Sequence, residues 1–267
     1  KRRVIALAMA YIRDDETGVF PIVRVMSEIA GTSAILVAAN LLSTSHGGIG
    51  ALLGGIAGVP PVKVIILGAG VVAEFASRTA IGLGAEVRIF DNDVYKLMRL
   101  QKHVGRQLYT SVLDSRHLKE QLLSADVVIG AMHSGHGRTP IVVSEDLVRQ
   151  MKPGAVIVDI SIDQGGVFET SETTSLEKPT FVKHGVVHYC VPNIASRVAR
   201  TASSAISNII TSLLLKAESG GIISLITSHR GLRNGVYTYK GCLTNAYLGE
   251  RFQLKSTDLD LLITSEF

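Results

Sequence analysis

Two carboxylates interrupt an otherwise apolar run. In GAVIVDISIDQGGVFET, from Gly154 to Thr170, the residues Val156, Ile157, Val158, Ile160 and Ile162 read as a buried strand, yet Asp159 and Asp163 stand inside it and Gly165-Gly166 follow. A carboxylate in such a place either moves a proton during a reaction or accepts hydrogen bonds from its neighbours. Strand alternation would put Ile157, Asp159, Ser161 and Asp163 on one side if the strand ran that far. Ligands of open α/β sheets bind beyond the carboxyl ends of the strands. Asp163, past the apolar run, is therefore expected to project into a cleft as an acid or base. The glycines beside it would let a planar ring approach the backbone. Asp159, lying deeper, is expected to be satisfied by backbone or a neighbouring side chain.

A second motif binds phosphate by its spacing. In KVIILGAGVVAEFASRTAIGLGAEVRIFDND, Gly68-Ala69-Gly70 follows a strand and opens a helix, and Ala73 takes the third position of the fingerprint. The first glycine makes the tight turn and the second admits a pyrophosphate to the backbone. The bare amides at the start of the helix, from Val71 and Val72 onward, hold the anion. Asp91 lies 21 residues after Gly70, at the end of the next strand. A carboxylate there accepts from a ribose 2′-hydroxyl and repels a 2′-phosphate, so NAD is expected rather than NADP.

The elements that must position these residues alternate. Strands are expected over 62–67, 86–90, 108–112, 126–131, 155–160 and 185–190, with helices over 71–83, 94–103, 117–123 and 145–151 between them. Nearly continuous apolar strands separated by helices indicate an α/β fold, a Rossmann-type parallel sheet with helices on both faces. Ser27 is placed to cap a helix over 28–43, with Glu28 in its first turn. A long helix is expected over 196–217, and the last fifty residues look helical and more polar.

Composition excludes several classes. The chain has 267 residues, 46% of them apolar, and a net charge of +4 without a Lys/Arg block, so nucleic-acid binding is not expected. Its two distant cysteines, Cys190 and Cys242, form no zinc motif or disulfide framework and fit a cytoplasmic setting. The start, KRRVIALAMA, has the outline of a secretory signal but reads better as a strand followed by a turn over 13–18. The uncharged stretch 29–62 breaks at Ser43 and carries many glycines, so it is expected to be a buried helix and a glycine-rich loop, not a membrane span.

The segments MSEIAG (26–31), GVPP (58–61), VIILGAG (64–70), MKPGAVIVDISIDQGG (151–166), PTFVKHGVVHYCVPN (179–193) and RTAS (200–203) together resemble alanine dehydrogenase. The transhydrogenase α subunit is similar in its nucleotide domain, but the I-D-Q-G-G form favours alanine dehydrogenase. The resemblance implies reversible, NAD-dependent oxidative deamination of L-alanine to pyruvate and ammonium in a homo-hexamer, with Asp163 as the catalytic acid-base carboxylate. It implies cofactor contacts at Ser27, Gly68, Gly70, Val71, Val72, Asp91 and Lys96. It adds contacts on the nicotinamide side from Met132, His133, Ile160, Ser161, Ile162, Asp163, Val191, Pro192, Asn193 and Ile194, and no metal. Residues 25–199 would form the NAD domain, and 1–24 with 200–267 part of a discontinuous substrate domain. Family members begin with a further segment carrying the substrate-binding arginine and lysine and the catalytic histidine, so these roles match no residue here. Activity of this chain alone is accordingly in question, and the alternatives are an NAD-binding module without turnover or part of a transhydrogenase α subunit. Ala8-Met9-Ala10 and Val167 depart from the family pattern, which often has A-Y-E and Cys there.

Overall fold

A computed structural model describes residues 3–134, 137–217 and 220–264. A short strand β1 (Ala6–Leu7) precedes helix α1 (Pro21–Leu41). Then β2 (Lys63–Leu67), α2 (Val71–Gly82), β3 (Glu86–Phe90), α3 (Val94–Val104), β4 (Tyr109–Ser111), α4 (Ser115–Ser124), β5 (Val127–Gly130), α5 (Glu145–Arg149) and β6 (Val156–Asp159) alternate. A hairpin of β7 (Thr180–Lys183) and β8 (Val186–Tyr189) follows. Helices α6 (Ala199–Ala217), α7 (Gly221–Ser228) and α8 (Arg230–Arg233) lead to strands β9 (Val236–Tyr239) and β10 (Cys242–Leu243), then α9 (Ala246–Phe252) and α10 (Leu259–Thr264). The chain divides into two compact units, Ser27–Ala199 and Lys1–Met26 with Arg200–Phe267.

The larger unit is an α/β fold. Its seven-stranded sheet has the order β4-β3-β2-β5-β6-β8-β7, parallel except for β7 at one edge. The strands are buried on both faces. Val64, Ile66, Val127, Ile129, Val156 and Val158 face one core with Ala34, Ile35 and Ala38 of α1 and Ala73, Ala76 and Ala80 of α2. Ile65, Leu67, Val128 and Ile157 alternate to the opposite face, where Leu118 and Leu122 of α4 and Val148 of α5 meet them. The order reverses between β2 and β5, so the crevice at their carboxyl ends is the place where such sheets bind ligands.

Four sequence expectations need correction. The first helix begins at Pro21, not after Ser27, because proline suits the first helical position, where its missing N–H costs nothing. Ser27 therefore lies inside α1 and caps nothing. Residues 180–183 form β7, an antiparallel strand where none was expected. Its signal was His184-Gly185 between two apolar runs, a pair whose φ values of 55° and 75° suit a two-residue hairpin turn. The C-terminal region is not all helical, since β9 pairs with both β1 and β10 in a three-stranded sheet. The expected long helix opens as a 3-10 segment over Ile194–Val198 before α6. Of the signal-like start, Lys1 and Arg2 lie outside the described residues.

Both α1 and the segment Ile194–Ala217 are long and apolar enough to cross a membrane by length and composition. In α1 that apolar character is spent on the core, where Ala34, Ile35 and Ala38 are completely buried. Ile206, Ile209, Ile210 and Leu213 of α6 pack on the core of the smaller unit.

Two features of the larger unit set its stability. Gly31 brings α1 against α2: a Cβ there would strike the Val72 carbonyl and lie 2.8 Å from the Ala76 nitrogen. Gly31→Ala should cost about 1–3 kcal/mol, read as a lower urea midpoint, and an unchanged midpoint would refute this close packing. His188 of β8 is fully buried, stacked on Phe181 at 4.8 Å. Its Nδ1 lies 2.9 Å from the Val186 carbonyl, which only accepts, so Nε2 accepts from the Thr170 hydroxyl at 2.8 Å. Burial pushes its pKa down from 6.5 to about 4. The unfolded chain thus takes up a proton that the folded chain refuses. The resulting stability is present above about pH 6.5 and drains by roughly 3 kcal/mol as pH falls toward 4. His188→Gln should flatten the dependence of urea midpoint on pH across that window. The same slope in variant and wild type would assign the effect elsewhere.

Candidate active site

The crevice is built first by the turn after β2. Gly68 has φ of 114°, a region open to glycine alone in practice, and donates to the Phe90 carbonyl at 2.7 Å. A Cβ on Gly68 would collide with the Ala131 carbonyl group and come within 3.1 Å of the Met132 nitrogen. The glycine thus lets the turn after β2 touch the chain leaving β5. Gly70 is the residue before α2, with open space where a Cβ would be and no side chain capping the helix. The first amides of α2, from Val71 and Val72 onward, have no intrahelical acceptor and carry the positive end of the helix dipole.

Asp91, at the end of β3, is 8% exposed. Its Oδ2 accepts from the Ala69 amide and its Oδ1 from the Asp93 amide, both at 2.8 Å. The carboxylate therefore shapes the glycine turn as well as facing the crevice, and each oxygen keeps a further lone pair for a ligand hydroxyl. Asp93 caps α3 by accepting from the Lys96 amide, and the exposed Lys96 ammonium lies 3.9 Å from the same carboxylate.

The two aspartates of the third segment take different roles because β6 stops between them. Asp159 is 1% exposed. Its Oδ1 accepts the Ser161 amide at 3.0 Å, which turns the chain out of the strand into a 3-10 segment over Ile160–Gln164. Its Oδ2 accepts the Val167 amide at 3.0 Å and the Ser171 hydroxyl at 2.7 Å. Burial raises its pKa against the pull of these donors. The glycines answer to this carboxylate. Gly166, at φ 79°, would put a Cβ 2.5 Å from Asp159 Oδ2, and Gly130 would put one 2.5 Å from Oδ1. At Gly165 the space is taken by the Arg138 side chain, 2.7 Å away. The expectation that Gly165-Gly166 make room for a ligand ring is thus corrected: protein atoms already fill that room.

Asp163 rides on the 3-10 segment and is exposed at its rim. One oxygen accepts the Asn193 amide at 3.1 Å, which ties the segment to the chain leaving β8. Asn193 has left-handed φ and ψ of 50° and 53°, which aims that amide. Surrounding protein raises the Asp163 pKa, and the Asn193 bond only partly opposes this.

The other expected residues collect on the same loops. Met132 is half-buried and His133 exposed. Ile162, Val191 and Ile194 are buried, so their side chains serve the core. Ile160 and Pro192 are half-buried. Ser161 is buried with its hydroxyl spent on Met132: it accepts the amide at 3.0 Å and donates to the carbonyl at 2.8 Å. Ser27 lies inside α1, one turn before Gly31, which packs against Val72 at the start of α2. Sequence reasoning missed Gln164, which bonds Ser134, and Ser171, which bonds Asp159. Gln164 stands in the I-D-Q-G-G motif and Ser171 in none, but for both only the partner reveals the role. Among the described residues no group of His, Cys, Asp and Glu is arranged to hold a metal.

The Asp159 hub is directly testable. Asp159→Asn would turn one acceptor oxygen into a donor facing other donors, so about 2–4 kcal/mol of stability should be lost in denaturant unfolding. Ser171→Ala should lose about 1 kcal/mol. An Asn variant as stable as wild type would mean that the hub does not organise this edge.

Comparison with known proteins places the chain in a family. Residues 34–246 match the family described as Alanine dehydrogenase/PNT, C-terminal domain. Alanine dehydrogenase 2 of Staphylococcus aureus is 38% identical over 255 residues, which cover 95% of this chain and 68% of that protein. A solved L-alanine dehydrogenase superposes with a TM-score of 0.88 at 36% identity, covering 93% of this chain and 68% of the other. A transhydrogenase from Sinorhizobium meliloti, at 23% identity and a TM-score of 0.74 over 91% of this chain and 67% of that one, shares the fold. With a family match across most of its length, the chain belongs to the alanine dehydrogenase/PNT family.

Proposed function

We propose that this chain is an oxidoreductase that binds NAD across the switch point and serves the reversible oxidative deamination of L-alanine to pyruvate and ammonium. The observation that carries the reading is Asp163. It is a rim carboxylate with a raised pKa, anchored by the Asn193 amide and beyond the end of a strand next to the switch point. The likeness to alanine dehydrogenases supports the substrate. Residues of Ser27–Ala199 are the cofactor domain in this reading, and the smaller unit belongs to the substrate domain. Two unpaired cysteines, Cys190 and Cys242, support a reducing cytoplasmic setting.

The chain's own residues fit the cofactor. The amides of Val71 and Val72 with bare Gly70 take the pyrophosphate. Asp91 takes the ribose hydroxyls and repels a 2′-phosphate. The loops bearing Met132, His133, Asp163 and Asn193 border the nicotinamide end. NAD, when bound, supplies the hydride acceptor. As the Cα–H of alanine leaves with its electron pair, the neutral amine becomes an iminium ion, and water then adds to its carbon. Asp163 takes one proton of that water and passes it to the nitrogen, and the remaining hydroxyl proton leaves with ammonia as ammonium when the carbonyl forms. A carboxylate kept above its usual pKa exchanges protons near neutrality more readily than a fully solvated one.

The test is an NADH titration by fluorescence, followed by pyruvate and ammonium while absorbance of the reduced nicotinamide is recorded. Binding with turnover supports the whole reading. A second reading, in which the chain binds NAD and turns nothing over, would be selected by binding without consumption of NADH. Absence of NADH binding would overturn both. In protein that shows turnover, Asp163→Asn should keep NADH affinity and lose about 100-fold or more in kcat, and an unchanged kcat would remove Asp163 from the chemistry. Asp91→Ala should weaken NAD by about tenfold while leaving NADP less disfavoured. Because Asp91 also holds the turn, the ratio of the two affinities is the readout: an unchanged ratio would deny it a part in discrimination.

A further inference from the structure

Two side chains on the segment that carries Asp163 grip the neighbouring loop. The Ser161 hydroxyl accepts the Met132 amide at 3.0 Å and donates to the Met132 carbonyl at 2.8 Å. Gln164, three residues after Ser161, repeats the pattern two residues further along the loop, its Oε1 accepting the Ser134 amide at 3.0 Å and its Nε2 donating to the Ser134 carbonyl at 3.1 Å. A neighbouring strand would satisfy alternate residues of the loop in this way with its own backbone. Here β6 has already ended at Asp159, and side chains take over the ladder. The Thr139 amide adds a bond to the Gln164 carbonyl at 2.9 Å, and the Thr139 hydroxyl one to Oε1 at 3.4 Å. Gln164 thereby commits both of its carbonyl oxygens and one Nε2 hydrogen to protein.

The pins bracket two functional positions at once. Along the loop they fall on either side of His133, which is exposed. Along the 3-10 segment they fall on either side of Ile162 and Asp163. Loop and segment cannot separate without breaking four hydrogen bonds. Building on the NAD reading above, we infer that Ser161 and Gln164 are positioning residues that lock the loop Met132–Ser134 to the turn of Asp163. The seat of the nicotinamide and the carboxylate that works beside it then keep a constant spacing. Ser161 acts through Met132 and does not itself contact the cofactor.

The test separates the two ends of the cofactor. ADP-ribose retains the pyrophosphate and adenosine and lacks nicotinamide. Gln164→Leu and Ser161→Ala should each weaken NADH by about tenfold while ADP-ribose affinity stays within about twofold of wild type. In ligand-free protein the same variants should speed hydrogen exchange at the Met132 and Ser134 amides. Gln164→Glu supplies the rescue: ionised, it cannot donate to the Ser134 carbonyl, and protonated, it can. Its NADH affinity should recover toward wild type as pH is lowered, whereas Gln164→Leu should show no such recovery. Equal weakening of NADH and ADP-ribose would make the clamp a general structural element and overturn the inference, as would unchanged affinity for both. Failure of wild type to bind either ligand would instead strike the NAD reading itself, and this inference with it.

Discussion

A buried carboxylate organises the carboxyl edge of this sheet. Asp159 ends β6, is almost fully enclosed, and takes two amides and a hydroxyl from three separate points of the chain. An unpaired buried charge is costly, so each donor is held firmly once the carboxylate is in place. The Ser161 bond bends the strand into the 3-10 segment. The Val167 and Ser171 bonds pull the chain that follows back over the sheet end. Gly130 and Gly166 exist to let that carboxylate fit. Asp163 therefore depends on Asp159 for its place: one carboxylate is spent so that the other can stand at the rim.

Asp91 applies the same physics on the other side of the switch point. It too is buried at a strand end with both oxygens engaged by amides. One of those amides belongs to Ala69, inside the glycine turn. The two strand-end aspartates thus shape their loops before any ligand arrives, which lowers the ordering cost of binding. Between them Gly68 lets the turn after β2 rest on the backbone at Ala131 and Met132. The phosphate turn and the Met132 loop are consequently in direct contact, and the Ser161 and Gln164 bonds extend that contact to Asp163. The crevice is one connected surface built from the ends of four neighbouring strands, β3, β2, β5 and β6.

How much of this was legible depends on the range of the interaction. The glycine turn, the position of Asp91 and the separate fates of Asp159 and Asp163 were readable, because each follows from local spacing at the end of an apolar strand. The parallel strands were readable too, since burial on both faces demands unbroken runs such as Val64–Leu67 and Val156–Val158. Ser27 misled because a serine before an apolar helical pattern resembles a cap, while Pro21 was the better start signal. The strand β7 was not legible because Thr180–Lys183 mixes polar and apolar residues at a sheet edge, beside the unbroken apolar run of β8. β1, β9 and β10 hid because strands of two to four residues carry too little periodicity, and β1 meets β9 only through pairing such as Ala6 with Thr238, far apart in sequence.

The amino-acid sequence by itself determined the α/β class, the glycine turn between strand and helix, the acidic strand end at Asp91 and the family resemblance. These rest on short motifs whose meaning is carried by neighbouring residues. Only the tertiary structure decided why the glycines follow Asp163, what Ser161 and Gln164 do, and which acceptor satisfies each crossing amide. Those answers require partners that chain distance conceals: Asp159 with Ser171, Gln164 with Ser134, Asp163 with Asn193. Hydrogen bonds are directional and short-ranged, so they are assigned only once the sheet has brought its strand ends side by side.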